Sequence, residues 1–76
     1  MRLNDTNLLQ IKPDEPARIV DIGGGYGIRQ KLNLRGISEG SIVRVISTNG
    51  PITIEVDRNV LSIGRGMAQK IRVTRV

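Results

Sequence analysis

The sequence predicts a mostly β domain, with about five short strands and one short α-helix after the first long strand. Three observations predict it: runs of Ile and Val are bounded by Gly, Asn and Pro, one run alternates between apolar and polar residues, and a single segment has a helical period. The 76 residues include no Cys, no His and one aromatic residue, Tyr26, so the core must be aliphatic. Short strands, tight turns and such a core are typical of a small SH3-like barrel.

The first strand and the helix are separated by a glycine-rich turn. Residues 17–22 are rich in β-branched side chains, and the glycines that follow cannot continue the strand, because glycine is favoured where φ is positive. Residues 28–35 are the helical candidate, with Ile28 and Leu32 on one face. Gly36 is placed to end that helix.

The rest of the chain is predicted to form short strands. Ile52, Ile54 and Val56 alternate with polar residues, which predicts one buried and one solvated face. A short turn or 3₁₀ segment follows later, with Met67 and Ala68 pointing inward. The predicted strands are residues 41–47, 52–57, 60–63 and 71–76, with a hairpin turn at 49–51 and the short turn at 64–70.

One domain accounts for most of the chain. We assign residues 17–76 to it and residues 1–16 to an N-terminal arm, because Pro13 and Pro16 bracket a turn just before the first strand. The first ten residues lack the apolar run of a signal peptide, and no segment has the roughly 20 apolar residues of a membrane span. The absence of cysteine fits a reducing compartment, so we expect a cytoplasmic protein without an intrinsic membrane segment.

Positive charge is concentrated in the second part of the chain. Residues 1–28 hold three basic and four acidic side chains, whereas residues 29–76 hold nine and three, for a net charge of +5. Such a surface can meet nucleic acid, anionic lipid or an acidic protein face, and a solvated surface that keeps the barrel soluble accounts for it equally well. Nucleic acid is disfavoured because only Tyr26 could stack on bases.

The glycine cluster does not match a nucleotide-binding fingerprint. Counting G-x-G-x-x-G from Gly23 puts Ile28 at the third glycine, and counting from Gly25 puts Gln30 there. A P-loop needs Lys followed by Ser or Thr, but Ile28 and then Arg29 follow the last glycine. A flexible turn or a close backbone approach is therefore favoured over an anion site, although backbone N–H groups there could hold an anion.

Side chains suited to metal binding or catalysis are scarce. Without His or Cys, a zinc or soft-metal site cannot be built. Glu55 and Asp57 could offer oxygens to a hard cation, but a solvated strand face near Arg44 or Arg58 is the simpler interpretation. No nucleophile has an activating base. We predict no catalytic residue, no cofactor and no metal site, and hence no enzyme.

The order of these motifs resembles the FeoA family, small cytoplasmic SH3-like proteins of ferrous iron uptake. Two departures stand out: Arg35 precedes Gly36 where the family usually has Met or Leu, with Leu34 one place earlier, and Asp14 occupies a turn position where the family often has Gly. The matching segments are residues 17–24, 29–32, 36–37, 50–52, 61–63 and 71–73, together with Gly40 and Ala68.

The resemblance implies an accessory protein that binds the cytoplasmic GTPase domain of a membrane ferrous iron transporter and modulates it, without binding iron itself. We hypothesise that Tyr26, Arg29, Lys31 and Arg35 make this contact; Tyr26 could instead fold back and cap the barrel. Two alternatives stay open, a basic nucleic-acid-binding module and a stand-alone relative of the C-terminal domain of metal-dependent repressors. Exposed sheet edges are also compatible with a homo-oligomer.

Overall fold

Six strands make one antiparallel sheet in the computed structural model, which describes residues 5–76. The strands lie in the order β1-β6-β2-β3-β4-β5, so β1 and β5 are the two edges. In chain order the elements are β1 (Asp5–Asn7), a 3₁₀ turn (Leu8–Gln10), β2 (Pro16–Ile22), α1 (Tyr26–Leu34), β3 (Ile42–Ser47), β4 (Ile52–Val56), β5 (Asn59–Ile63), α2 (Arg65–Ala68) and β6 (Ile71–Arg75).

The sheet bends around an aliphatic core. Its register shifts between Ile19 and Asp21 where β2 pairs with β6, and between Val45 and Ser47 where β3 pairs with β4. Such bulges increase local twist and let a short sheet curl. Within residues 5–76 every fully buried side chain is apolar, which confirms the predicted aliphatic core of an SH3-like barrel.

The predicted alternation is clearest in β4. Ile52, Ile54 and Val56 are buried, whereas Thr53 and Glu55 are only partly covered. Outward side chains of neighbouring strands lie beside each other where their residues pair directly, as where Glu55 faces Arg44 of β3. The sheet therefore has one face on the core and one towards solvent.

Helix α1 ends in a Schellman motif. Gly36 has φ +87°, and its N–H donates to the Asn33 carbonyl at 3.0 Å, while the Ile37 N–H donates to the Leu32 carbonyl at 2.9 Å. Leu32 and Ile37 are both buried, which adds the apolar contact that accompanies this motif. The prediction that Gly36 ends the helix is confirmed.

Two local elements differ from the sequence prediction. Helix α1 begins at Tyr26, two residues earlier than predicted, because Gly25 (φ +98°) completes the turn and its carbonyl already accepts the Arg29 N–H at 3.2 Å. Residues 64–70 contain a short α-helix rather than a turn or 3₁₀ segment. As expected there, Ala68 is fully buried and Met67 packs against the core.

The N-terminal arm contributes a sixth strand. Its first four residues lie outside the described part of the chain, but β1 pairs with β6 and both Leu8 and Ile11 are buried in the core. The local sequence shows that Leu8 and Ile11 are apolar, but it does not show that β6, at the far end of the chain, pairs with β1. The division at residue 16 as a domain boundary stays a prediction.

Candidate functional site: a groove beside the first helix

The glycine turn after β2 is a close backbone approach. The Gly23 N–H donates to the Lys70 carbonyl at 2.8 Å. A Cβ on Gly24 would lie 2.6 Å from Ile28 Cδ1 and 3.0 Å from Lys70 Cδ, and the residue has φ +90°. The left-handed backbone conformation, with Ile28 and Lys70 close by, therefore favours glycine at this position. These contacts are those of a close backbone approach, which is the structural turn favoured from the sequence over a phosphate site.

Arg29 joins the start of α1 to its surroundings. Its Nη2 donates to the Ile22 carbonyl at 3.2 Å and lies 3.7 Å from Asp21 Oδ1 and 3.4 Å from Glu39 Oε2. The side chain is about half exposed (47%), so the ion pairs are partly screened by water. Arg29 thus connects α1, the end of β2 and the turn before β3, which is a structural role.

Lys31 and Arg35 lie apart from Arg29, on the other side of α1. Both line a groove of about 410 Å³ that we call the α1–β5 groove. Its walls are Lys31, Leu32, Leu34 and Arg35 from the end of α1, and Ser62, Ile63, Gly64 and Met67 from β5 through α2. No salt bridge within residues 5–76 involves either cation. The groove therefore combines apolar walls with two cationic side chains.

Tyr26 does not take part in this groove. Its side chain is 78% exposed at the first position of α1, so it does not fold back to cap the barrel. Of the four residues in the partner-binding hypothesis, the structure brings only Lys31 and Arg35 together. Whether any of the four binds a partner stays a prediction.

Sequence reasoning missed the apolar side chains that line the groove beside the two cations. Leu34 is 83% exposed on the α1 wall, and Met67 is half-buried on the wall from β5 through α2. The placement of Leu34 before Arg35, noted as a departure from the family pattern, was the available signal. No local pattern could place it against Ser62 and Gly64, which lie about 30 residues further along the chain.

Of the two carboxylates considered for a hard cation, only Glu55 makes a surface ion pair within residues 5–76. Arg44 Nη2 donates to Glu55 Oε1 at 2.7 Å, as expected for a solvated strand face, while Asp57 lies in the turn after β4 with φ +50°. Among the described residues there is no group of three or more His, Cys, Asp or Glu that could hold a metal ion. No helix in that same part of the chain has the length and apolar character to cross a bilayer.

The fold and this surface define a class of protein: a small SH3-like module with an exposed groove that is both basic and apolar. The chain belongs to the FeoA family, since the FeoA domain model matches residues 6–75. It is 40% identical over 63 residues to "Putative Fe(2+) transport protein A" of Methanocaldococcus jannaschii, covering 82% of this chain and 77% of that protein.

Solved structures share the fold. The crystal structure of an iron uptake regulatory protein, FeoA, superposes with a TM-score of 0.89 at 32% identity, covering 97% of this chain and 100% of that one. T. acidophilum IdeR gives a TM-score of 0.90 at 26% identity, covering all of this chain but 36% of that protein. A manganese-dependent transcriptional repressor, at 21% identity and a TM-score of 0.86, matches over 42% of its length and shares the fold alone. The same barrel therefore occurs both as a separate FeoA protein and as part of repressors.

Proposed function

We propose that this chain is a cytoplasmic accessory protein of ferrous iron uptake that binds the GTPase-bearing membrane iron transporter and modulates it. The observation that carries the proposal is the 40% identity, over most of both chains, to a protein named for Fe(2+) transport. The proposed mode of action is non-covalent binding with no cofactor and no metal held by this chain. An exposed groove and free cationic side chains suit a protein contact of this kind.

Binding to the transporter is measured with the full chain and the transporter's cytoplasmic GTPase domain. Calorimetry at physiological salt is expected to give saturable binding, and the rate of GTP hydrolysis by that domain is expected to change when the chain is added. Absence of binding, together with tight salt-dependent binding of RNA or DNA, would favour the nucleic-acid alternative and overturn the proposal.

Single substitutions locate the contact. Tyr26→Ala, Lys31→Ala and Arg35→Ala are expected to weaken binding without lowering the melting temperature, because all three side chains are exposed. Arg29→Ala removes the hydrogen bond to the Ile22 carbonyl and two ion pairs, so it is expected to affect stability as well. Arg18→Ala, an exposed arginine on β2, is the matched control and should bind as wild type. Binding that survives all three exposed substitutions would move the interface elsewhere.

A second candidate, a stand-alone relative of the repressor domain, is favoured by the match to IdeR over the whole of this chain. The two functions predict different gene neighbourhoods. A neighbouring gene for a membrane iron transporter supports the first, and a neighbouring DNA-binding regulator without a transporter supports the second.

A further inference from the structure

Two other depressions on the surface each include a carboxylate in their lining, unlike the α1–β5 groove. One of those is lined in part by Asp21 and the other by Glu39, and both carboxylates lie beside Arg29. Among residues 5–76, none of those that line the α1–β5 groove is acidic, and two of them, Lys31 and Arg35, are cationic. A groove with cations and no carboxylate attracts a negatively charged partner.

The apolar side of the groove is also exposed. Leu34 is 83% exposed at the rim, and Met67 supplies a flexible apolar side chain opposite it. Leu34 contributes almost nothing to the core, and an exposed leucine next to an apolar depression is a contact that a partner can bury. The site therefore fits a partner that is both acidic and apolar.

The shape of the site favours an extended partner. β5 is an edge of the sheet, so within the described part of the chain one side of its backbone has no neighbouring strand. The end of β5 forms part of one wall of the groove. Extended peptides bind along such edges, with alternate side chains entering pockets. An extended segment with apolar residues at every second position could place them towards Leu34 and Met67.

We propose that the α1–β5 groove binds an extended segment of the transporter in which carboxylates alternate with apolar side chains. This proposal rests on the proposed function, because that function identifies the transporter as the source of the segment. A second copy of this chain is a poorer occupant, since it carries a net charge of +5. Lys31 and Arg35 pair with the carboxylates, and Leu34 and Met67 cover the apolar side chains.

The probe is a capped eight-residue peptide of alternating Leu and Glu, and its control is the same peptide with Lys in place of Glu. Each is titrated into the ¹⁵N-labelled full chain at neutral pH, with amide shifts as the readout. The acidic peptide should shift amides of residues 31–35 and 60–67 and bind at least tenfold more tightly than the basic one. Equal binding of both peptides, or shifts centred elsewhere, would overturn the proposal.

Charge reversal tests the cations. Lys31→Glu combined with Arg35→Glu should weaken binding of the acidic peptide at least tenfold. The matched control, Lys12→Glu with Arg18→Glu, makes the same change in net charge at exposed positions outside the groove and should change binding less than threefold. Equal losses in the two double variants would mean that net charge alone attracts the peptide, which contradicts a specific groove.

Leu34→Ser tests the apolar contact. Because Leu34 is exposed, the variant should melt as wild type yet bind the acidic peptide several-fold more weakly. Val76→Ser, at another exposed apolar residue, should change neither property. Shifts at β5 that depend on protein concentration without peptide would instead identify a second copy as the occupant.

The intact transporter domain separates the two proposals. If it binds wild type and the Lys31→Glu, Arg35→Glu variant equally, the groove proposal fails and the proposed function stands. If it binds neither, while the acidic peptide still binds in the groove, the proposed function fails and the groove takes its acidic segment from another protein.

Discussion

Glycines around the start of α1 have different physical requirements, although they look alike in the sequence. Gly24 has φ +90° and is crowded by Ile28 and Lys70, whereas Gly27 lies inside α1 with open space where a Cβ would stand. The first is fixed by its backbone conformation and its neighbours. The second only weakens the helix, because glycine loses more conformational freedom than alanine on folding.

The same substitution should therefore have opposite effects at the two glycines. Gly24→Ala is expected to lower the free energy of unfolding by about 1–2 kcal/mol, chiefly from the left-handed conformation, since Ile28 Cδ1 is the end of a flexible side chain and can shift. Gly27→Ala is expected to raise it by about 0.5–1 kcal/mol. Urea unfolding of both variants measures the difference, and similar effects at the two positions would contradict this account of the turn.

Glu15 connects the turn before β2 to the last strand. The Lys12 N–H donates to Oε1 at 3.0 Å and Arg75 Nε donates to Oε2 at 3.2 Å. The hydrogen bond from the Lys12 backbone is the largest cause that holds the pKa of Glu15 below its ordinary value of 4.5. Desolvation, the next largest effect, opposes this lowering of the pKa, and the charge of Arg75 adds to the lowering. The charged form of Glu15 is thus favoured by folding.

Stability should fall in acid through this group. Because the pKa of Glu15 is lowered on folding, its contribution is present above pH 4.5 and is lost as the pH falls through the lowered value. Glu15→Gln should melt at a lower temperature than wild type at pH 7, and the two should converge at pH 3. Asp57→Asn removes a carboxylate that makes no salt bridge within residues 5–76, so it should keep the wild-type loss in acid. If Glu15→Gln lost as much stability in acid as the wild-type protein does, the Glu15 carboxylate would not be the group responsible.

At the level of the element, α1 has a buried leucine and an exposed leucine within two residues of each other. Leu32 is 2% exposed and packs in the core, whereas Leu34 is 83% exposed at the groove. A helix of nine residues is marginal by itself, so the buried face holds it in place. The face that remains exposed is then free to carry a binding site.

Alanine substitutions distinguish the two leucines. Leu32→Ala is expected to cost about 2–5 kcal/mol, because it leaves a cavity in the core. Leu34→Ala is expected to change stability by less than about 0.5 kcal/mol, as is usual for exposed sites. Thermal melts test this directly, and a large loss for Leu34→Ala would mean that its side chain packs on the domain.

For the whole molecule, stability depends on segments far apart in the chain. β1 pairs with β6, and Leu8 and Ile11 enter the same core as Val73. Small domains are stable by about 5–15 kcal/mol, and losing a buried leucine costs about 2–5 kcal/mol, so a few such contacts decide whether the domain folds. The N-terminal arm is therefore expected to be part of the folding unit.

Truncation tests that expectation. A chain that starts at Pro13 lacks Leu8 and Ile11, and we expect it to lose cooperative unfolding and the dispersion of its amide spectrum. Leu8→Ala should cost about 2–5 kcal/mol and the partly buried Leu9→Ala less, which gives the milder comparison. A truncated chain that melts like wild type would show that the arm is dispensable.

Much of the fold followed from local patterns. The alternation in β4, the spacing of Ile28 and Leu32 and the position of Gly36 predicted their elements, because backbone conformation and side-chain periodicity act over a few residues. The start of α1 was two residues wrong, because Gly25 takes φ +98° and its carbonyl already accepts the Arg29 N–H, which lets the helix begin at Tyr26. The sixth strand was missed because its partner is the last strand of the chain.

The sequence by itself determined that this protein is a small, basic β-barrel with an aliphatic core. It also determined that the chain has neither the side chains of a soft-metal site nor a nucleotide-binding fingerprint, because composition and motif spacing are read directly from the sequence. Only the tertiary structure decided which cationic side chains lie close together. In the folded protein Arg29 donates a hydrogen bond to the Ile22 carbonyl and lies near two carboxylates. Lys31 and Arg35 line the α1–β5 groove together with Met67. The reason is that helical spacing tells which residues share a face, whereas the element opposite that face depends on how the sheet curls in three dimensions.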